Sequence, residues 1–344
     1  MSAPPTIGRV PALNDPWTLG GLRIANRVVL APLAGIGNWF VRLQARRHGA
    51  GLAVSEMVSS HAVHYRNERT LRELLRIHPD EHPVSIQLFG SDPEIMRSAA
   101  AQVAAAGADI VDLNMGCPVP KVLKTGAGAA LISDHDRAVA VARAAVEGSG
   151  RPVTVKLRSG RRPGERDGVA LAQRLVAEAG VAGIAFHPRS AAVHHKGHPD
   201  YELAAELVVA LDVPVIVSGG LGEAEHVRWV FRHTGCAAVM LARGSLGNPW
   251  LFARVLDPAA PEPSADAVLD ELDWVIARAA EHLGEQRAAR YLRQHYPWYL
   301  SHLSADAELR ESLQRSESLA AARELLAQLR PASASRAALS ASAA

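Results

Sequence analysis

The stretch Val84-Ser-Ile-Gln-Leu-Phe-Gly90, then Asp92-Pro-Glu-Ile-Met-Arg-Ser-Ala-Ala-Ala-Gln-Val-Ala-Ala-Ala-Gly107, then Ile110-Val-Asp-Leu113 decides the fold. An apolar run of strand length is followed by a longer segment with helical spacing, a glycine, and a second apolar run. That is one strand–helix–strand unit, and it recurs on both sides. Strands are predicted at Arg27–Pro32, Leu52–Ser55, Val84–Leu88, Ile110–Leu113, Val153–Leu157, Gly183–Phe186, Val213–Val217 and Ala237–Leu241. Helical patterns fall between them at Asp92–Ala106, His135–Glu147, Gly168–Ala179, Tyr201–Leu211 and Glu223–His233, with Gly107, Pro152, Gly180 and Pro214 at the junctions.

Eight such strands, each followed by a crossover, predict a (β/α)8 TIM barrel, for which about 250 residues is typical. An open doubly wound sheet would not require the eighth strand. Ahead of the barrel, Trp17-Thr-Leu-Gly-Gly-Leu-Arg-Ile24 alternates around a Gly-Gly pair and reads as a hairpin covering the barrel bottom. Behind it, the break Asp257-Pro-Ala-Ala-Pro-Glu-Pro263 leads into a region with helical spacing and no strand signal. The expected organisation is a barrel with its hairpin over residues 1–256, a small C-terminal helical domain over 265–330, and an Ala/Ser-rich disordered tail over 331–344.

The chain has 344 residues, 48% hydrophobic and 21% charged, enough for a sizeable core. No apolar run reaches the roughly 18 residues of a membrane span, and the first residues lack the pattern of a secretory signal. Only Cys117 and Cys236 are present, in no zinc or disulfide spacing, so a reducing cytoplasm is the expected home. The net charge of +2 neither proposes nor excludes a nucleic-acid partner, so an RNA site must be a local patch. Candidate patches are Arg42–Arg46–Arg47, Arg158–Arg161–Arg162–Arg166 and Arg287–Arg290–Arg293. The histidines His194, His195 and His198, and the pair His61 and His64, lack carboxylate or cysteine ligands at a convincing spacing, so no metal is expected.

Active sites of such barrels sit at the C-terminal ends of the strands, where the polar residues of this chain gather. The last two strands run into Ser218-Gly-Gly220 and Ala242-Arg-Gly244. Loops at that place commonly hold a phosphate: glycine lets backbone N–H groups come close, and Arg243 adds a positive charge. The plainer reading is that Gly219, Gly220 and Gly244 only make tight turns. Cys117 lies in a Gly-Cys-Pro turn on the same rim, either as a general acid or as a buried small hydrophobe. Lys156 ends an apolar strand, where a cation needs an anion or polar ligand, and Gln87 can donate to and accept from the edge of a heterocycle. Either could instead be an exposed strand end.

Several segments resemble the tRNA-dihydrouridine synthases. They are Val28-Val-Leu-Ala-Pro-Leu-Ala-Gly-Ile36, Val54-Ser-Glu-Met57, Gln87-Leu-Phe-Gly-Ser-Asp92, Asp112-Leu-Asn-Met-Gly-Cys-Pro118, Pro120-Lys-Val-Leu-Lys-Thr-Gly-Ala-Gly-Ala-Ala-Leu131, Val155-Lys-Leu-Arg158, Lys196-Gly197 and, in the helical region, Trp298-Tyr-Leu300. The resemblance implies an FMN-containing barrel with a helical tRNA-binding domain. It implies that Pro32, Leu33 and Ala34 line the flavin, that Gln87 and Lys156 contact its ring, and that His187 lies close to it. Ser218, Gly219, Gly220, Ala242 and Arg243 would hold the phosphate. Cys117 would be the proton donor, with Asn114 and Arg158 on the substrate side. NADPH would be the co-substrate, using the same cleft by turns with tRNA, because Gly126-Ala-Gly128 does not follow a strand as a dinucleotide fingerprint does. A monomer is expected.

The chain departs from the family pattern at Gly37-Asn38, where Thr-Asp or Thr-Asn is usual, at Ser218 for a common Asn, and at Pro188 for a common Gly. Two other readings are compatible with such a rim. One is a flavin barrel acting on a free pyrimidine, resembling a dihydropyrimidine or dihydroorotate dehydrogenase, which would need no helical appendage. The other is a tRNA-binding scaffold without catalysis, against which Cys117, Lys156 and Gln87 argue together.

Overall fold

The computed structural model describes residues 11–330; the tail expected over 331–344 lies outside them. Eight strands close a parallel barrel: β3 (Val28–Leu30), β4 (Leu52–Val54), β6 (Val84–Phe89), β7 (Ile110–Met115), β8 (Val153–Arg158), β9 (Gly183–His187), β10 (Val215–Ser218) and β11 (Ala238–Leu241). The ring is joined by β11 pairing with β3 (Val239 opposite Val28) and β4 pairing with β6 (Ala53 opposite Val84). The two-residue strand β5 (Val58–Ser59) resumes the line of β4 and pairs with the far end of β6. The strands are buried almost throughout, which is why they read as continuous apolar runs.

Polar residues start the crossover helices. Asp92 caps the helix Pro93–Ala105 by accepting from Ile95 N, Asp134 caps His135–Ser149 and Asp200 caps Tyr201–Ala210. The hairpin β1 (Trp17–Leu19) and β2 (Leu22–Ile24) turns through Gly20 and Gly21, both at positive φ, as a two-residue loop of this twist requires. Gly20 packs on Pro152 and Ala182, just before β8 and β9, so the hairpin covers the N-terminal end of the barrel. Its buried Trp17, Leu19 and Ile24 join the interior layer formed by Leu52, Ile110, Ile216 and Ala238. Each such aliphatic side chain contributes about 1.5–3 kcal/mol by leaving water.

The last barrel helix ends at Leu256, and five helices occupy 265–327: Ala265–Leu283, Glu285–Leu292, Tyr296–Leu300, Ala307–Arg315 and Leu319–Ala327. Ser264 caps the first. Their apolar faces join the barrel's outer shell in one continuous core, through Leu272, Ile276, Leu292, Tyr299 and Leu326. The seam runs along the helix Trp39–Arg47, whose Gln44 donates to Glu271 (2.8 Å) and to the Tyr299 hydroxyl (2.7 Å). No helix among the described residues is long and apolar enough to cross a membrane.

Candidate active site

A cleft of about 680 Å³ opens at the C-terminal ends of the strands, and every site residue expected from the sequence lines it. The end of β3 brings Pro32, Leu33 and Ala34; β6 brings Gln87; β7 brings Asn114 and, one turn on, Cys117. From β8 come Lys156 and Arg158, from β9 His187, from β10 Ser218, Gly219 and Gly220, and from β11 Ala242 and Arg243. Residues given no role in the site beforehand also line it: Met57 after β4, Arg189 after β9 and Trp298 from the helical region, together with His194 and His195 of the histidine cluster weighed above for metal. A Cβ on Gly247 would lie 2.5 Å from Trp298 Cβ, so the bare backbone after β11 lets this tryptophan reach the wall.

Lys156, Arg158, Arg189 and Arg243 face the cleft, and no carboxylate lines it among the described residues. Lys156 is pushed down to about 8, first by burial and then by the Arg158 cation; its Nζ donates to Ser218 Oγ at 3.3 Å. The serine at the departing position thus still meets the lysine. Arg158 is pushed down to about 10 by burial. It spans two loops, donating to Gly116 O (3.0 Å), Ser190 O (3.1 Å) and His194 O (2.8 Å). Burial and the surrounding cations hold His187 far below the usual imidazole range, so its ring is neutral, and His195 is pushed down to about 4 for the same reasons. Concentrated positive charge without a counterion is what an anion site looks like before its ligand arrives.

The loops after β9, β10 and β11 come together through glycine. A Cβ on Gly219 would overlap the His187 imidazole, and one on Gly220 would lie 2.7 Å from the Tyr201 hydroxyl. Both glycines have positive φ, and Tyr201 Oη holds the turn by donating to Gly219 O at 2.8 Å. Gly244 lies so close to Gly222 that a Cβ would come within 2.6 Å of the Gly222 Cα. His187 Nε2 and Arg189 Nε are buried without a hydrogen-bond partner. Unpartnered ring and guanidinium nitrogens, bare backbone and Arg243 together fit a phosphate.

The Cys117 turn is held from several sides. Asn114 Oδ1 accepts from Gly116 N (3.2 Å) and Cys117 N (2.9 Å), while Cys117 O accepts from Ala129 N (3.0 Å). A Cβ on Gly128 would come 2.7 Å from Cys117 O, so the loop Lys124-Thr-Gly-Ala-Gly128 reaches the turn only through glycine. Asn114 Nδ2 donates to Gln87 Oε1 at 2.9 Å, and otherwise meets only Met57 Sδ at 3.7 Å. Cys117 is partly exposed and Cys236 is buried. Their fates therefore differ: one thiol faces the cleft, while burial pushes the other up to about 11.

The three basic patches separate. Arg42 is only 1% exposed and forms a bidentate pair with Glu81 (2.7 and 3.1 Å), while Arg46 donates to backbone carbonyls of residues 50, 51 and 82. Arg47 lies over the Trp274 ring at 4.2 Å. Arg42 and Arg46 thus spend their donors within the fold, while Arg47 stays exposed. Within the second run Arg158 is buried, whereas Arg161, Arg162 and Arg166 are exposed. In the third, Arg287 pairs with Glu73 (2.9 and 2.7 Å) and Arg293 donates to Ser316 O, leaving Arg290 exposed. Among the described residues no group of three or more metal-ligating side chains comes together.

The closed parallel barrel is a fold that solved structures of low sequence identity share. Morphinone reductase in complex with tetrahydroNAD is 18% identical with a TM-score of 0.53, over 75% of this chain and 94% of that one. Histamine dehydrogenase from Rhizobium sp. 4-9 is 14% identical with a TM-score of 0.55, over 71% of this chain and 47% of that one. The family model for dihydrouridine synthase (Dus) matches residues 29–338. The tRNA-dihydrouridine synthase B of Pseudomonas aeruginosa is 35% identical over 86% of this chain and 90% of its own. A probable tRNA-dihydrouridine synthase of Mycobacterium tuberculosis is 36% identical over 91% of this chain and 83% of its own. The chain belongs to the dihydrouridine synthase family.

Proposed function

We infer that the protein is an FMN-dependent oxidoreductase that reduces the C5=C6 bond of uridines in tRNA to dihydrouridine. The observation that carries this reading is a cleft with four cations, no lining carboxylate and a single partly exposed thiol. Bound FMN, once reduced by NADPH, would supply the hydride chemistry needed at C6 of the uracil. The chain's own residues do the rest. Arg243, Gly219 and Gly220 would hold the cofactor's phosphate, with Ser218 and Ala242 beside them. Lys156 and Gln87 would face its ring, Pro32, Leu33 and Ala34 would line one side, and the neutral His187 would stand close by with its Nε2 unpartnered.

Hydride addition at C6 leaves negative charge spread over C5 and the C4 carbonyl, which nearby cations stabilise. Cys117 transfers its Sγ proton to C5, completing the addition of two hydrogens, and the thiolate regains a proton from solvent. Arg158, fixed by three carbonyls, and the Asn114 Nδ2 hydrogen that now meets only Met57 sulfur are the donors turned to the substrate carbonyls. The target base must leave its stack, at a cost of a few kcal/mol that phosphate contacts offset. Exposed Arg161 and Arg162 on the rim, and Arg69 and Arg290 in the adjoining cavity of about 560 Å³, supply such contacts. His282, Leu283, Arg287, Arg290 and Tyr291 bring the helical region to that cavity, and the helices over 265–330 act as the tRNA-binding part. NADPH uses the cleft by turns with tRNA, and the protein works as a cytoplasmic monomer.

The test is to load the protein with FMN and supply NADPH with either unmodified tRNA or free uracil and dihydroorotate. Dihydrouridine in the tRNA, and no turnover of the free bases, is expected. Turnover of the free bases alone would replace this reading with a free-pyrimidine enzyme.

A further inference from the structure

Asp112 sits in the middle of β7, 1% exposed, beneath the cleft floor. Oδ1 accepts from Thr154 Oγ1 at 2.5 Å and Oδ2 from Gln87 Nε2 at 2.6 Å. Among the described residues neither oxygen is within ion-pair distance of a cation. Keeping a carboxylate inside the barrel on two neutral donors is costly, and an apolar residue would fill the space at lower cost. Burial accordingly pushes its pKa up to about 6, against the pull of Thr154, Gln87 and Lys156.

What a carboxylate adds is direction. An ionised oxygen can only accept, so Gln87 must turn Nε2 towards Asp112 and Oε1 away from it. Gln87 Oε1 then receives Asn114 Nδ2 at 2.9 Å, and Asn114 is left with Oδ1 to accept the Gly116 and Cys117 peptide N–H groups. Those peptide groups can only donate. The chain therefore has an acceptor at one end, donors at the other, and two carboxamides between them that fit in one orientation. Reversing either amide would set oxygen against oxygen or N–H against N–H. The strands permit this: Gln87 is in register with Asp112, and Asn114 follows two residues later on the same face of β7.

We propose that Asp112 is a positioning residue for the Cys117 turn, acting through the one-way hydrogen-bond chain Asp112–Gln87–Asn114. The proposal rests on Cys117 as the proton donor. Its content is that the buried acceptor sets the orientation of both amides and hence the placement of the thiol over the substrate.

The test compares Asp112→Leu with Asp112→Asn in the FMN-loaded protein. Asparagine can still offer Oδ1 to Gln87 while its Nδ2 donates to the Thr154 hydroxyl, so it keeps the direction of the chain; leucine does not. Asp112→Leu should slow uridine reduction by about 10–100-fold, as a slightly misplaced acid does. Asp112→Asn should recover most of that loss. Alkylation of Cys117 by iodoacetamide, the readout independent of turnover, should speed up about fivefold in Asp112→Leu, equivalent to losing one hydrogen bond. Equal damage in both variants, or wild-type rates of reduction and alkylation in Asp112→Leu, would overturn the proposal.

If Asp112→Leu does not fold, hydrogen exchange in the wild-type holoprotein decides the matter. The Gln87 and Asn114 side-chain amide protons should be protected, and free exchange would overturn the chain. Cys117→Ala separates the two readings. If it abolishes uridine reduction while Asp112→Leu is normal, the relay fails and the proton donor stands. If Cys117→Ala still reduces uridine, the alkylation rates alone decide the relay, and unchanged rates overturn it.

Discussion

The seam between barrel and helices and the cleft at the barrel mouth are both rich in arginine, and they use it in opposite ways. In the seam the cations meet acids: Arg42 with Glu81, Arg47 with Glu271, Arg287 with Glu73. In the cleft Lys156, Arg158 and Arg189 donate only to carbonyls and one hydroxyl, Arg243 stands beside them, and the buried Asp112 reaches Lys156 through its field without an ion pair. Charges satisfied within the chain hold the fold, and charges left over await a ligand. The two sets cannot be told apart by counting Arg and Lys, since the net charge is only +2.

That contrast can be broken by substitution. The largest effect belongs to Cys117→Ala, which should lower uridine reduction by about 10²–10⁴-fold, the usual worth of a general acid. FMN content and NADPH oxidation should stay, as stopped-flow absorbance would record. Next comes the seam: Glu81→Gln leaves Arg42 buried without its counter-charge and should cost about 3–5 kcal/mol in denaturant unfolding. A loss under about 1 kcal/mol would mean that the pair is not what secures this helix. Arg243→Ala should instead spare the apoprotein and weaken FMN binding by roughly 10–100-fold, the range for a hydrogen bond to a charged group. Titration of the apoprotein with FMN measures it, and unchanged affinity would remove Arg243 from the cradle.

The smallest effects are pH dependences of opposite sense. Lys156 loses its proton near pH 8 in the folded apoprotein. Below that the cation is already present and FMN affinity should be level; above it, binding an anion must take up a proton, so affinity should fall. Glu73 is held down to about 2, chiefly by Arg287 and then by Arg69 and Arg72. Its contribution is complete above the ordinary carboxylate range near pH 4 and is lost as the pH falls towards 2. Thermal melting and FMN titration across pH should therefore show the seam weakening in acid and the cleft in alkali. Parallel profiles would argue against the division.

Much of this was legible beforehand because buried parallel strands announce themselves. β6, β7 and β8 are near-continuous apolar runs, and polar residues at their ends had to gather on one rim. The helix Trp39–Arg47 was not legible: residues 39–45 are all buried, Arg42 and Gln44 among them, because the barrel covers one side and the C-terminal helices the other. An amphipathic pattern needs a solvent face, and this helix has little of one. Trp298 could not be placed in the cleft wall because it arrives from a separate helix by a tertiary contact. Asp112 did leave a signal, a carboxylate inside an otherwise apolar strand, although its partners Gln87 and Thr154 come from neighbouring strands.

The most direct test of the account is a single turnover. The FMN-loaded protein is reduced with NADPH without oxygen, freed of excess nucleotide and mixed with unmodified tRNA. The wild-type protein should reoxidise its flavin and yield one dihydrouridine per flavin, while Cys117→Ala stays reduced on the same timescale. Equal yields from both, or reoxidation without dihydrouridine in the tRNA, would contradict it.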